Sequence, residues 1–197
     1  MRRIQDYVAS CVSSPLARWA DSPAHELTAE AAAVVQNLLS GLSSAEYSIT
    51  DCIAVHRTAT IERGATLKPP LIVGANAFIA AGAYVRGGCW LAEGCTVGPG
   101  VEIKSSFLFA GTVLAHFNFV GDSVLGAEVN VEAGAVICNY RNERSSEPAL
   151  VKFGALVGDG SRIGANAVLS PGTVLPPRSI IARLALVDQD AGGPRAR

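Results

Sequence analysis

The chain has 197 residues, of which 49% are hydrophobic and 17% charged, with a formal net charge of -1. This suits one packed domain with appendages rather than a disordered chain, and gives no general attraction to nucleic acid or an anionic membrane. No run of about 18 apolar residues is present, so no membrane-spanning helix is expected.

The opening stretch MRRIQDYVASCVSS carries Asp6 early and lacks the unbroken apolar core of a signal peptide. Cys11, Cys52, Cys89, Cys95 and Cys138 are odd in number and lack C-x-x-C spacing. They read as reduced thiols of a cytoplasmic protein. Residues 1–48 form a first segment. Within it, SPAHELTAEAAAVVQNLLSGL reads as helix, with Ser22 as cap and Pro23 at the first helical position. This helix is expected to cover an end of the structure that follows.

From residue 49 a period of six takes over. Val55, Ile61, Leu67, Val73, Ile79, Val85, Leu91, Val97, Ile103 and Phe109 are all apolar, and turn formers such as Gly64, Asn76, Gly82 and Gly100 follow three residues later. Residues two apart on a strand share a side, so each hexad reads as a short strand with two inward residues and a turn. No hexad can bury its inward pair alone; three make a coil of about 18 residues, and coils must stack. The fold class is therefore an all-β solenoid of hexapeptide repeats over residues 49–183, with an N-terminal α-helical segment.

The rhythm slips at residues 110–119, around AHFNFVGD, and resumes at Phe119, Leu125, Val131 and Ile137. A polar segment at 138–153 reads as a protruding loop. The period returns at Val157, Ile163, Leu169, Leu175 and Ile181, and residues 184–197 form a tail.

Stacking turns spacing into geometry. Lys68, Arg86 and Lys104 are 18 apart, and form a column of outward cations about one strand spacing (~4.8 Å) apart. Such a column is either a phosphate site or a solvated basic edge. Ile72, Trp90 and Leu108 form a second, apolar outward column. It is either the interface of a closed homotrimer or a face covered by loops or the N-terminal helix.

The three histidines, His25, His56 and His116, are too far apart along the chain and the coils to converge on one ion, so no catalytic metal is expected. His116, with Asn130, Asn139 and Tyr140 nearby, is a candidate general base for an amine attacking a thioester; the alternative is a structural histidine at a repair in the repeat.

The stretch VEIKSSFLFAGTVLAHFNFVGDSVLGAEVNVEAGAVICNYRN resembles the acetyltransferase domain of the bifunctional N-acetylglucosamine-1-phosphate uridyltransferase/glucosamine-1-phosphate acetyltransferases. It is similar also to the C-terminal solenoids of sugar-1-phosphate nucleotidylyltransferases. The likeness is strong over about residues 84–142. It implies a left-handed parallel β-helix, a homotrimer with sites between subunits, and acetyl-CoA as co-substrate.

It further implies His116 as general base, with Arg86 and Lys104 on the sugar phosphate. Asn130 falls on an amino-sugar contact, and Asn139 and Tyr140 lie near acetyl-CoA and sugar. Phe119 stands where the family has a substrate-contacting tyrosine. Asp159 stands at a turn that contacts the cofactor. Arg144 is an approximate substitute for the family's lysine. The implied activity is CoA-dependent N-acylation of an amino-sugar phosphate or nucleotide sugar. The alternative is a non-catalytic module that binds sugar phosphate or partners a nucleotidylyltransferase.

Overall fold

The structure, a computed structural model, describes residues 2–142 and 152–189. The middle of the expected loop, with Arg144, and the end of the expected tail lie outside the described residues. The rest of the chain from residue 47 is a parallel β-solenoid of about seven coils.

Its strands stack into three sheets, one per face of the coil. The first face runs from Ile53–His56 through Leu71–Val73, Cys89–Leu91 and Phe107–Leu108 to Thr173–Leu175. The second runs from Thr60–Ile61 to Ile180–Ile181, and the third from Thr66–Leu67 to Leu186–Val187, past residue 183. All pairings are parallel except that of Tyr47–Thr50 with Ile53–His56. That hairpin blocks one end of the first sheet. At the other end the Gln189 amide donates to the Val174 carbonyl (2.8 Å) and accepts from its N–H (2.9 Å), as a neighbouring strand would.

The inward residues form one continuous core, including Val73, Ile79, Val85, Leu91, Val97 and Ile103. Up to Ile103 the period of six holds. The next inward residue is Leu108, paired with Leu91, and not Phe109; later comes Val120, paired with Ile103, and not Phe119. The register shows two five-residue steps, Ile103 to Leu108 and Val120 to Leu125. The slip expected at residues 110–119 is therefore misplaced: Leu114 to Val120 is a regular step of six.

Both shortened steps fall at the corner between the third and first faces, and serines repair them. Ser106 Oγ donates to Lys104 O and accepts from Ser123 N–H (2.8 and 3.0 Å). Ser123 Oγ does the same between Gly121 O and Ala155 N–H (2.7 and 3.0 Å). Each hydroxyl fills a place in the ladder that the missing residue would have occupied.

Residues 2–42 lie along the first face, not over an end of the solenoid. Three 3-10 turns (Ile4–Asp6, Ala9–Ser13, Ala17–Trp19) precede helix α1 (Ala24–Ala29) and helix α2 (Ala31–Leu39). The expected single helix breaks at Glu30 (φ -99°, ψ 13°), and Pro23 rather than Ser22 stands at the cap, with no side-chain capping bond. Ile4, Val8, Leu16, Leu27, Val34 and Val35 bury against Ile72, Trp90, Phe107, Phe109, Val124 and Leu156. Trp90 meets Phe109 edge to face, with centroids 5.2 Å apart.

This layer corrects the expected trimer interface. Ile72 and Trp90 do face outward, but they are buried under the chain's own N-terminal segment, and Leu108 points into the solenoid. Phe107 holds the place assigned to Leu108, because of the five-residue step just before it.

Candidate active site

The third face carries most of the candidate residues. Its outward positions form two rows. One includes Thr66, Tyr84, Glu102, Phe119 and Val136; the other includes Arg86, Lys104 and Gly121. Arg86 and Lys104 are neighbours, as their spacing requires. Lys68 follows in the same row and is exposed.

Two of the three cations are paired with carboxylates of the chain. Arg86 donates through Nε and Nη2 to Glu102 Oε1 (2.9 and 2.6 Å). Lys104 Nζ donates to both oxygens of Asp122 (2.7 and 2.9 Å), and the Asp122 side chain is only 7% exposed. The like-charge repulsion within the column is thus offset by the chain's own carboxylates.

Asn139 Nδ2 donates to Asp122 Oδ2 as well. A Cβ added at Gly121 would lie 2.7 Å from Asn139 Nδ2 and 2.9 Å from the Phe119 ring. Glycine there lets the amide and the aromatic ring close over the backbone. Lys104, Phe119, Asp122 and Asn139 therefore converge around Gly121. Next to them, Lys104, Ser105, Asp122 and Lys152 line a cavity of about 420 Å³ closed by α1 and α2 through Thr28 and Ala31. Lys152 Nζ also lies 5.8 Å from the ring centroid of Tyr140, which is 38% exposed.

His116 stands apart, exposed at the corner between the second and third faces. Its carbonyl accepts Gly134 N–H (2.9 Å), which fixes the backbone, and among the described residues none is hydrogen-bonded to the imidazole. Lys104 is at the opposite end of the third face; at about 3.3 Å per residue, the strand between puts on the order of 10 Å between them. Of the other two histidines, half-buried His56 places Nδ1 2.9 Å from Thr58 Oγ1, and exposed His25 meets the Phe153 ring edge to face.

Asn130 lies on the second face, paired with Val113 and Arg162. With Glu132, Arg162 and Arg183 it lines a second cavity of about 270 Å³. Arg183 donates to both oxygens of Glu132 (2.7 Å each), and Ala165 N–H adds a third bond (2.8 Å). Those bonds hold the Glu132 carboxyl below its ordinary range, the Arg183 side chain being the larger cause.

Asp159, which the resemblance places at a turn contacting the cofactor, meets backbone N–H groups of the chain itself. Its Oδ2 accepts Ala9 N–H (2.9 Å) and its Oδ1 accepts Ala127 N–H (2.7 Å). Its own N–H donates to Tyr7 O (3.0 Å). It clamps the N-terminal layer to the solenoid. No group of three His, Cys, Asp or Glu side chains that could hold a metal comes together among the described residues. Burial pushes the Cys89 and Cys95 thiols up to about 11 and about 12, values at which neither is a nucleophile near neutral pH.

Sequence reasoning missed Asp122 as the partner of Lys104, and missed Glu132, Arg162 and Arg183. Lys104 and Asp122 are 18 residues apart, but the coil between them is one residue short, so Lys104 stacks on Gly121 and Asp122 lies one position beyond.

Residues 70–105 match the family described as "Bacterial transferase hexapeptide (six repeats)". The chain is 37% identical over 81 residues to "Bifunctional protein GlmU" of Carboxydothermus hydrogenoformans, covering 38% of this chain and 18% of that protein. It is 32% identical over 105 residues to "Bifunctional sugar-1-phosphate nucleotidylyltransferase/acetyltransferase" of Sulfurisphaera tokodaii, covering 48% of this chain and 26% of that protein. The chain thus spans about a fifth to a quarter of the length of these curated relatives. Among solved structures, a hexapeptide transferase family protein from Anaplasma phagocytophilum aligns over 68% of this chain and 72% of that one, at 17% identity and a TM-score of 0.36. The segment that matches the hexapeptide model, residues 70–105, falls on coils whose strands pair at an 18-residue register.

Proposed function

We propose that the protein is a cytoplasmic, acetyl-CoA-dependent N-acyltransferase that acts on an amino-sugar phosphate or nucleotide sugar. The observation that carries this reading is the convergence of Lys104, Phe119, Asp122 and Asn139 around Gly121, on a face that ends at an exposed His116. The imidazole takes the proton from the acceptor amine as its nitrogen attacks the thioester carbonyl, and CoA leaves as the thiol. Arg86 and Lys104 meet the acceptor's phosphate, with Glu102 and Asp122 as the carboxylates displaced or shared on binding. Asn139 and Tyr140 border the thioester. Asn130 lies beside Arg162, which pairs with no carboxylate among the described residues and is the cation available to the phosphates of CoA.

The same reading makes the protein a homotrimer joined along the edge between the second and third faces. Three features support that edge. The first face is already covered. Exposed Leu186 and half-buried Phe119, Val136 and Val168 form an apolar border there. And about 10 Å between His116 and Lys104 leaves room for a neighbour's groups.

Release of free CoA from acetyl-CoA, with glucosamine 1-phosphate and UDP-linked amino sugars as acceptors, tests the reading. The expected result is turnover by the wild type and a loss of at least about 100-fold in kcat for His116→Ala. Full turnover in that variant would remove His116 as base. The second reading, a sugar-phosphate-binding or assembly module, is favoured by the cations being already paired and by Phe119 lacking a hydroxyl. Tight binding of glucosamine 1-phosphate without CoA release would establish it instead.

A further inference from the structure

We propose that Phe117 determines acceptor specificity: its exposed ring is the wall against which the carbon face of the acceptor's sugar ring packs while His116 meets the amine. The inference rests on the acyltransferase reading above.

The corner between the second and third faces has one left-handed position per coil, three residues after the inward residue of the second face. Glycine or asparagine stands there at Gly64, Gly82, Gly100, Gly134 and Asn166, with φ between 55° (Asn166) and 102° (Gly64). A side chain with a bulky Cβ substituent is disfavoured in that conformation. Phe117, at φ 52°, is an exception in the middle of the solenoid. Leu184, at φ 62°, is the other, in the last described coil.

Burial does not compensate the strain at Phe117, because the residue is 72% exposed. The backbone is nevertheless held firmly in place. Phe117 N–H donates to Pro99 O (3.0 Å). Asn118, 2% exposed, anchors the next residue by donating Nδ2 to Glu132 O (2.7 Å) and Ala135 O (3.3 Å). An unfavourable backbone, a bulky apolar side chain left in water and a rigid support are a combination that folding alone does not require.

The direction of the ring selects the ligand. A Cβ at Gly100 would lie 2.4 Å from the Phe117 ring, so the ring rests on that glycine and leans back toward the earlier coils. Those coils present Tyr84, Arg86 and Glu102 on the adjoining face. The second-face cavity with Arg162 and Arg183 lies the other way, in later coils. Phe117 therefore sits on the side of His116 from which a phosphate held at Arg86 would extend a sugar ring. Aromatic faces suit the C–H face of a pyranose, which is apolar and flat.

Phe117→Gly is the test, because it removes the ring and relieves the backbone together. Kinetics use acetyl-CoA with glucosamine 1-phosphate and a UDP-linked amino sugar. The expected variant melts at the same temperature as the wild type or about 2–4 °C higher. Its KM for the acceptor rises about tenfold, while its KM for acetyl-CoA stays within about twofold. An unchanged acceptor KM in an active variant overturns the proposal. So does a rise confined to the acetyl-CoA KM, which would make the ring a donor contact. Dissociation of the oligomer in Phe117→Gly would make it an interface residue instead. A wild type that releases no CoA with either acceptor removes the acyltransferase reading, and this inference with it, and is told apart by the wild-type assay alone.

Discussion

The first and third faces are built from the same hexad and share one inner core, yet their outer sides are opposites. On the first face every outward position in the row Ala54, Ile72, Trp90, Phe107, Val124, Leu156 and Val174 is buried under the N-terminal layer. On the third face the matching rows hold Tyr84, Glu102, Phe119, Arg86 and Lys104, half-buried at most and mixed in charge. A strand buried on both sides has no alternation to read, whereas one buried on a single side does. The covered face is closed to ligands by the chain's own layer; the open one carries the candidate site residues.

Two phenylalanines put that difference to the sharpest test. Phe107 on the first face is fully buried, and Phe119 on the third is half-buried. Phe107→Ala is expected to cost about 3–5 kcal/mol in denaturant unfolding. Phe119→Ala is expected to cost about 1 kcal/mol, from the apolar area it leaves in contact. Equal costs would mean that the N-terminal layer does not cover the first face in solution.

The next largest effect belongs to Asp122. Its carboxylate is nearly buried and Lys104 is bound to both its oxygens, so Asp122→Ala leaves a partly buried ammonium and the Asn139 amide without their acceptor. The expected loss is about 2–3 kcal/mol, from stranding those donors rather than from the ion pair as such. Lys104→Met combined with Asp122→Asn, which keeps a residue suited to the left-handed backbone at position 122 (φ 47°), is expected to recover most of it. A double variant no more stable than Asp122→Ala would show that the pair carries the stability itself.

The same contrast explains what was legible in the sequence. The inward series was readable to Ile103 because the outward neighbours there are often polar. It then ran one residue out of phase, because Phe107, Leu108 and Phe109 are all apolar, as are Phe119 and Val120. Beneath the N-terminal layer both phases are apolar, so the two missing residues left no trace in hydropathy. The apolar row through Ile72 and Trp90 announced that something covers it, but spacing could not say what. The 3-10 turns at Ile4–Asp6, Ala9–Ser13 and Ala17–Trp19 have no period that would mark one face.

In the site, the adjacency of Arg86 and Lys104 followed from the 18-residue coil. Their carboxylate partners did not. Glu102 lies 16 residues from Arg86, on a diagonal, and Asp122 lies just past a shortened corner. The two backbone N–H groups that Asp159 accepts lie in distant parts of the chain, which spacing within a coil does not announce.

The smallest expected effect concerns the edge where the open faces meet. Glu132 ties its own coil to the next through Ala165 N–H and to the one after through Arg183. Its folded-state pKa is lowered, chiefly by Arg183. Its contribution is therefore fully present above the ordinary glutamate range and is lost as pH falls through the lowered folded value. Both side chains face water, so the effect is modest and screened by salt. In melting curves taken from about pH 7 down to about pH 3, Glu132→Gln should melt slightly below the wild type at neutral pH, and the two should converge in acid. A gap that widens on acidification would mean that the carboxyl is stabilised in its protonated form, against the geometry of three donors aimed at its oxygens. No such pH-dependent gap is expected for Phe107→Ala, since the Phe107 side chain is buried in an apolar cluster to which neither Glu132 nor Arg183 belongs.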